Sequence, residues 1–144
     1  MRPGFRLTIG AEAGEVARVT AAFADFAETQ ALPAAVRRSL HVALDELLHN
    51  TIAHGFAGRE EGVGEVTVEV ELGADRVFVT LTDDGRPFDP LEAESPDAMR
   101  STQERRIGGL GIHLVRQMMD EVSYQRRGDR NVVVLAKRLA EGRR

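Results

Sequence analysis

Glu46-Leu47-Leu48-His49-Asn50, closed by His54-Gly55-Phe56, reads as the end of an amphipathic helix. Leu40, Leu44, Leu47, Leu48 and Thr51 fall on one broad face. At about 100° per residue, Glu46 and Asn50 lie close together beside that stripe, not inside it. A carboxylate and an amide oxygen therefore stand one turn apart on the same side of a helix. Gly55 ends the run.

The rest of the chain arranges itself around this helix. Phe5, Leu7 and Ile9 alternate with Arg6 and Thr8 and predict a short strand. Gly10 to Gly14 reads as a turn. Val16, Val19, Phe23 and Phe26 recur at helical spacing, so a helix is expected over roughly residues 15–29. Leu32-Pro33 breaks it, and Pro33 suits the first turn of the next helix, which runs to about His54. Gly58 to Gly64 is a polar loop. Val66, Val68, Val70 and Leu72 alternate with Glu65, Thr67, Glu69 and Glu71. After Gly73-Ala74-Asp75 the alternation resumes at Val77, Val79 and Leu81, giving a hairpin whose second strand ends at Asp83. No period holds from Pro87 to Arg106, and a long stretch of that kind inside a domain is usually functional or disordered. Gly111 to Met119 reads as a helix. Val122 to Gln125 and Asn131 to Lys137 form a closing hairpin around Gly128-Asp129. The expected architecture is an α/β two-layer sandwich, with a mixed, largely antiparallel sheet and helices on one face. We expect one domain over residues 1–144.

Composition narrows the class. The chain has 144 residues, 42% hydrophobic and 29% charged, ordinary values for a globular domain with a sizeable core. A net charge of −4 argues against nucleic acid as the main partner. With no cysteine there is no disulfide framework and no thiolate metal site. No apolar run is long enough to span a bilayer, and Met1 to Arg6 lacks the apolar stretch of a signal peptide. A cytoplasmic protein without membrane or nucleic-acid partners is expected.

Three segments carry chemistry. Asn50 offers a neutral oxygen that suits Mg²⁺ held largely by phosphates and water. Glu46, one turn away, can accept a proton from a hydroxyl attacking a γ-phosphate. The plain alternative is two solvated polar residues. Asp45 and His49 form a competing pair, read as a surface contact, and His54 is expected to cap or pack the helix end. The second segment is Asp83-Asp84-Gly85-Arg86-Pro87-Phe88-Asp89-Pro90. A carboxylate at this strand end can accept from the exocyclic amino group of adenine, a donor that guanine lacks there. An Asp-Gly turn is the plain alternative. Strand parity turns Asp83 inward rather than Asp84, and Phe88 is expected beneath the turn. The third segment is Gly108-Gly109-Leu110-Gly111-Ile112, a glycine loop opening a helix, where backbone amides and the helix dipole can hold an anion. It has no Gly-Lys-Ser/Thr and no strand just before it, so it is neither a P-loop nor a Rossmann turn. Arg105 and Arg106 can reach a terminal phosphate or form a solvated basic pair.

In this order the three segments resemble the N, G1 and G2 boxes of the Bergerat-type ATP-binding fold. The closer resemblance is to the bacterial anti-sigma factor serine kinases, through Glu46 to Phe56, Asp83 to Pro90, Gly108 to Ile112, and Met118-Met119-Asp120-Glu121-Val122. It covers nearly the whole chain. It implies Glu46 as catalytic base, Asn50 as Mg²⁺ ligand and Asp83 as adenine reader. Gly85 would be the first G1 glycine, with Gly109 and Gly111 as G2 glycines. Phe88, Arg105, Arg106, Gly108 and Leu110 complete the expected nucleotide-binding set. Such proteins use ATP and Mg²⁺ to phosphorylate a serine on an anti-anti-sigma partner, and they sequester a sigma factor, usually as homodimers. Pro87 and Ile107 stand where relatives have further box glycines. The runner-up is an ATP-holding partner-switch module with little kinase activity. The ATPase half of a histidine kinase is the less expected third reading, because the stretch before the nucleotide helix is short for a two-helix phosphoacceptor module.

Overall fold

Alternation of valines with polar residues builds the sheet. In the computed structural model, which describes residues 2–60, 63–92 and 110–140, the strands are β1 (Gly4–Gly10), β2 (Glu65–Leu72), β3 (Arg76–Asp83), β4 (Glu121–Arg127) and β5 (Arg130–Arg138). Their order is β1-β2-β3-β5-β4. Each pair is antiparallel, so the expected mixed sheet has only antiparallel pairs among the described strands. The register aligns Leu7, Val68, Leu81, Val133 and Tyr124 in one row, and Phe5, Val70, Val79, Leu135 and Val122 in the next. With a period of two, every one of these side chains points to the same face.

That face is covered by α1 (Val16–Thr29), α2 (Ala34–Asn50) and α3 (Leu110–Met118). Val19, Leu40, Leu44, Leu47, Leu48, Val66, Val68, Val77, Val79 and Leu135 are fully buried between the layers. Each such leucine or valine contributes about 1.5–3 kcal/mol by leaving water. The opposite face is polar on β1 and β2, where Thr8 faces Thr67 with the two hydroxyls 2.8 Å apart, while Phe78, Val132, Val134 and Ala136 make it partly apolar across β3 and β5. The exposed pairs Arg2–Glu71 and Arg6–Glu69 lie there too, each worth at most about 1 kcal/mol. Among the described residues no helix is long and apolar enough to cross a membrane.

Two departures from the expected elements bear on the site. A short 3₁₀ turn, Ala13–Glu15, leads into α1. More consequentially, α2 is regular only to Asn50 and continues as one wide π turn over Thr51–Gly55. Periodicity sees a helical run here but not a change of hydrogen-bond spacing. Such single π turns occur often at functional sites.

Candidate functional site

At the end of β3 the apolar rows give way to a polar one. Val66, Asp83, Asn131 and Arg126 stand side by side across β2, β3, β5 and β4, on the helix-covered face. Asp83 is 4% exposed. Its Oδ1 accepts from the Gly85 amide at 2.9 Å and from Asn131 Nδ2 at 2.8 Å. Among the described residues nothing donates to Oδ2. One oxygen is thus fixed and the other is left to accept from a ligand. Burial pushes the Asp83 carboxyl above the ordinary aspartate value. The hydrogen bonds from Asn131 and Gly85 oppose that rise, the neighbouring Asp84 adds to it, and Arg126 opposes it. Asp84 is engaged elsewhere, since its Oδ1 accepts from the Glu65 amide at 2.9 Å and closes the end of the β2–β3 pair. Asp83 is therefore the buried carboxylate of the two, as strand parity predicts.

The turn after Asp83 docks onto the end of α2. A helix terminus leaves carbonyls without intrahelical partners. Here Arg86 supplies them, its amide donating to Gly55 O at 3.0 Å and its Nε to His54 O at 2.8 Å. A Cβ at Gly85 would lie 2.6 Å from Gly55 O, so only glycine permits this approach. The His54 ring packs on Phe88, centroids 5.2 Å apart, so Phe88 lies against the helix end and His54 packs there as expected. Further on, the Asp89 carboxylate accepts from the Leu91 amide at 2.8 Å. Arg116 of α3 holds Leu91 O through Nε at 3.1 Å and Nη2 at 2.5 Å.

Glu46 is half-buried at the margin of α2, as its spacing predicts, whereas Asn50 is one of the helix's buried residues rather than lying outside the apolar stripe. The Asp45–His49 pair beside them is a half-exposed surface contact at 3.5 Å. Gly111, in the first turn of α3, rests so closely on Glu46 that a Cβ there would collide with the carboxylate. The helix start favours that negative charge. The base candidate thus stands beside the first turn of α3.

Asn50 is 8% exposed, and its side chain neither caps the π turn nor makes a hydrogen bond with another described residue. A buried amide without a partner costs about 1–3 kcal/mol, so this oxygen is well suited to a ligand. No cluster of three or more His, Cys, Asp or Glu converges among the described residues. Asn50 fits Mg²⁺ only as one donor among phosphate oxygens and waters. Asn50→Ala is accordingly expected to remove most of the Mg²⁺ dependence of ADP affinity, read by calorimetry with and without the metal. An undiminished dependence would count against Asn50 as the ligand.

Arg105, Arg106, Gly108 and Gly109 lie outside the described residues, as does Ile107. Leu110 begins α3. The structure adds three residues that the sequence pattern did not single out, Asn131, Tyr124 and Arg126. Asn131 is 1% exposed, and its amide is hydrogen-bonded on both sides. Nδ2 donates to Asp83 Oδ1 and to Arg86 O, both at 2.8 Å. Oδ1 accepts from Tyr124 Oη at 2.6 Å and from Arg126 Nη1 and the Phe88 amide, both at 3.2 Å. Burial, above all, raises the Tyr124 hydroxyl. A signal for Asn131 was present: it shares strand parity with Val133 and Leu135, and a polar residue at an inward strand position needs partners.

The histidine kinase-like ATPase domain family matches residues 9–137, and the chain belongs to that family. Serine-protein kinase RsbW of Listeria monocytogenes is 36% identical over 88 residues, 58% of this chain and 54% of that protein. The aligned stretch thus spans about half of that relative's length. Serine/threonine-protein kinase BtrW of Bordetella bronchiseptica is 32% identical over 102 residues, covering 71% of this chain and 70% of the relative. An anti-sigma F factor of Clostridium beijerinckii is 28% identical over 97 residues, 67% and 66% of the two chains. A solved structure of the RsbU and RsbW domains of a Mycobacterium tuberculosis protein superposes with a TM-score of 0.66 at 15% identity. It covers 99% of this chain and 34% of that one, and the likeness is one of fold.

Proposed function

We propose that the chain acts as one ATP-binding domain, an ATP- and Mg²⁺-dependent protein serine kinase. Its substrate is an anti-anti-sigma protein, and it serves as an anti-sigma regulatory factor, working in the cytoplasm as a homodimer. The observation that carries the reading is the Asp83 carboxylate, buried and pinned by Oδ1 with Oδ2 unengaged among the described residues. Family membership supports ATP as the ligand. The printed names of the relatives, serine-protein kinase and anti-sigma F factor, support the kinase and partner-switch roles.

In this reading Asp83 Oδ2 accepts from the adenine amino group. The phosphates lie toward α3, and Gly108, Gly109, Leu110, Gly111, Arg105 and Arg106 are assigned to bind them from the sequence pattern alone. Asn50 is the protein's ligand to Mg²⁺, which when bound neutralises charge on the phosphates. Glu46 accepts the proton of the partner's serine as that oxygen bonds to the γ-phosphorus and the bond to the β-phosphate oxygen breaks, releasing ADP. Positioning and charge stabilisation dominate such transfers. The ATP-holding switch with little transfer activity is the second reading, and the placement of Glu46 beside α3 favours the enzyme.

Calorimetry with ADP and GDP tests the carrying observation. Guanine presents an acceptor where adenine presents its amino group, leaving a buried carboxylate facing an oxygen. ADP is expected to bind on the order of 10²-fold more tightly than GDP. Equal affinities would remove Asp83 as purine reader.

A further inference from the structure

Arg126 has no role in the reading above, yet it is one of the residues most closely tied to the Asp83 turn. It is half-buried on the inward side of the edge strand β4. Its Nη1 donates to Gly85 O at 2.9 Å and to Asn131 Oδ1 at 3.2 Å, and its Nε to Gly128 O at 3.2 Å. All three acceptors are neutral. Among the described residues Arg126 makes no ion pair. One cation thus joins three separate backbone and side-chain acceptors, two of which, Gly85 and Asn131, themselves hold Asp83.

The nearby negative charge is one residue away through Asn131. The Asn131 amide accepts from Arg126 at Oδ1 and donates to Asp83 at Nδ2. Its dipole is therefore aligned with the cation on one side and the carboxylate on the other, and a chain of this sense strengthens each bond in it. The same guanidinium nitrogen holds the carbonyl of Gly85, whose amide donates to Asp83. Both hydrogen bonds that aim Asp83 are thus anchored to Arg126.

We propose that Arg126 is a positioning residue for nucleotide recognition, clamping the Gly85 turn and the Asn131 amide so that Asp83 Oδ2 is presented to the purine amino group. This rests on the reading of Asp83 as the purine reader. Arg126 does not touch the nucleotide; it acts through Asn131 and Gly85. A second consequence follows from its charge. Arg126 opposes the burial that raises the Asp83 carboxyl. Without it Asp83 holds its proton to higher pH, and a protonated Oδ2 is a poorer acceptor. The other ionisable groups around this turn are Asp84, Arg86, Asp89 and Tyr124, with Arg59 on the Asp84 carbonyl and His54 against Phe88.

The test is ADP affinity by titration calorimetry from pH 6 to pH 9 for wild type, Arg126→Lys, Arg126→Gln and Arg126→Met, with circular dichroism to establish folding. Comparing each variant with wild type at the same pH cancels the titration of the nucleotide's own phosphate. Arg126→Met and Arg126→Gln are expected to bind ADP on the order of tenfold more weakly near pH 6, and the deficit should shrink as pH rises. Arg126→Lys keeps the charge and should show a smaller deficit with little pH dependence. In an Asp83→Asn background, Arg126→Gln should cost almost nothing more, because coupled residues are not additive. A deficit that is the same at every pH and persists undiminished beside Asp83→Asn would make Arg126 a structural tie of the hairpin and overturn the proposal. So would wild-type affinity in folded Arg126→Gln. If wild type fails to prefer ADP over GDP, the reading of Asp83 falls, and this inference with it.

Discussion

Glu46→Ala is expected to lower the rate of phosphotransfer to the partner serine on the order of 10²–10⁴-fold, the usual contribution of a general base. ADP affinity should remain nearly unchanged. The expectation follows from place: Glu46 is at the margin of α2, one turn before Asn50, against the first turn of α3. In the proposed reading it would meet an incoming hydroxyl from there without holding the nucleotide. The substitution creates no buried cavity, since Glu46 is only half-buried, so stability should change little. Rapid-quench phosphorylation beside calorimetry on the same variant separates the two effects. If ADP affinity falls as steeply as the rate, Glu46 belongs to nucleotide or metal binding.

Asp83→Asn should do the reverse to binding and leave the fold intact. Asparagine can keep its Oδ1 on Gly85 N and Asn131 Nδ2, but its Nδ2 then replaces the open oxygen and faces the purine amino group, donor against donor. ADP affinity is expected to fall on the order of 10²-fold. The apo protein should gain stability at neutral pH. The sign follows from the raised carboxyl of Asp83: the folded chain keeps this proton to higher pH than the unfolded chain. Its contribution is fully present below the unfolded value and is lost as pH rises through the folded one. Asparagine escapes that loss, so its melting temperature relative to wild type should climb from acid to neutral pH. A variant that melts lower than wild type at neutral pH, with the same pH profile, would show Asp83 to be structural.

Much of this site was legible in the chain because it depends on period. The 3.6-residue repeat of Leu40, Leu44, Leu47 and Leu48 places Glu46 on the rim of α2 and Asn50 one turn on, but it does not show that Asn50 is buried. The two-residue repeat of Val77, Val79 and Leu81 turns Asp83 inward, where its 4% exposure bears it out. What periodicity does not carry is pairing between distant strands. Asn131 and Arg126 reach Asp83 only because β5 lies between β3 and β4, and no local pattern states that order. The π turn at Thr51–Gly55 was hidden for a related reason. Its His54 and Gly55 carbonyls are taken by Arg86, a contact some thirty residues away in sequence, so tertiary docking and not helix propensity accompanies the widening.

Transfer of labelled γ-phosphate from ATP tests the central claim most directly. The purified chain would be incubated with Mg²⁺, labelled ATP and, one by one, the anti-anti-sigma proteins of its own organism. The account predicts that one of them becomes labelled on a serine, and that Glu46→Ala slows the labelling on the order of 10²–10⁴-fold while still binding ADP. A chain that binds ATP with the expected preference for adenine, yet labels none of these partners, would contradict the kinase reading and leave the protein as a nucleotide-holding partner switch.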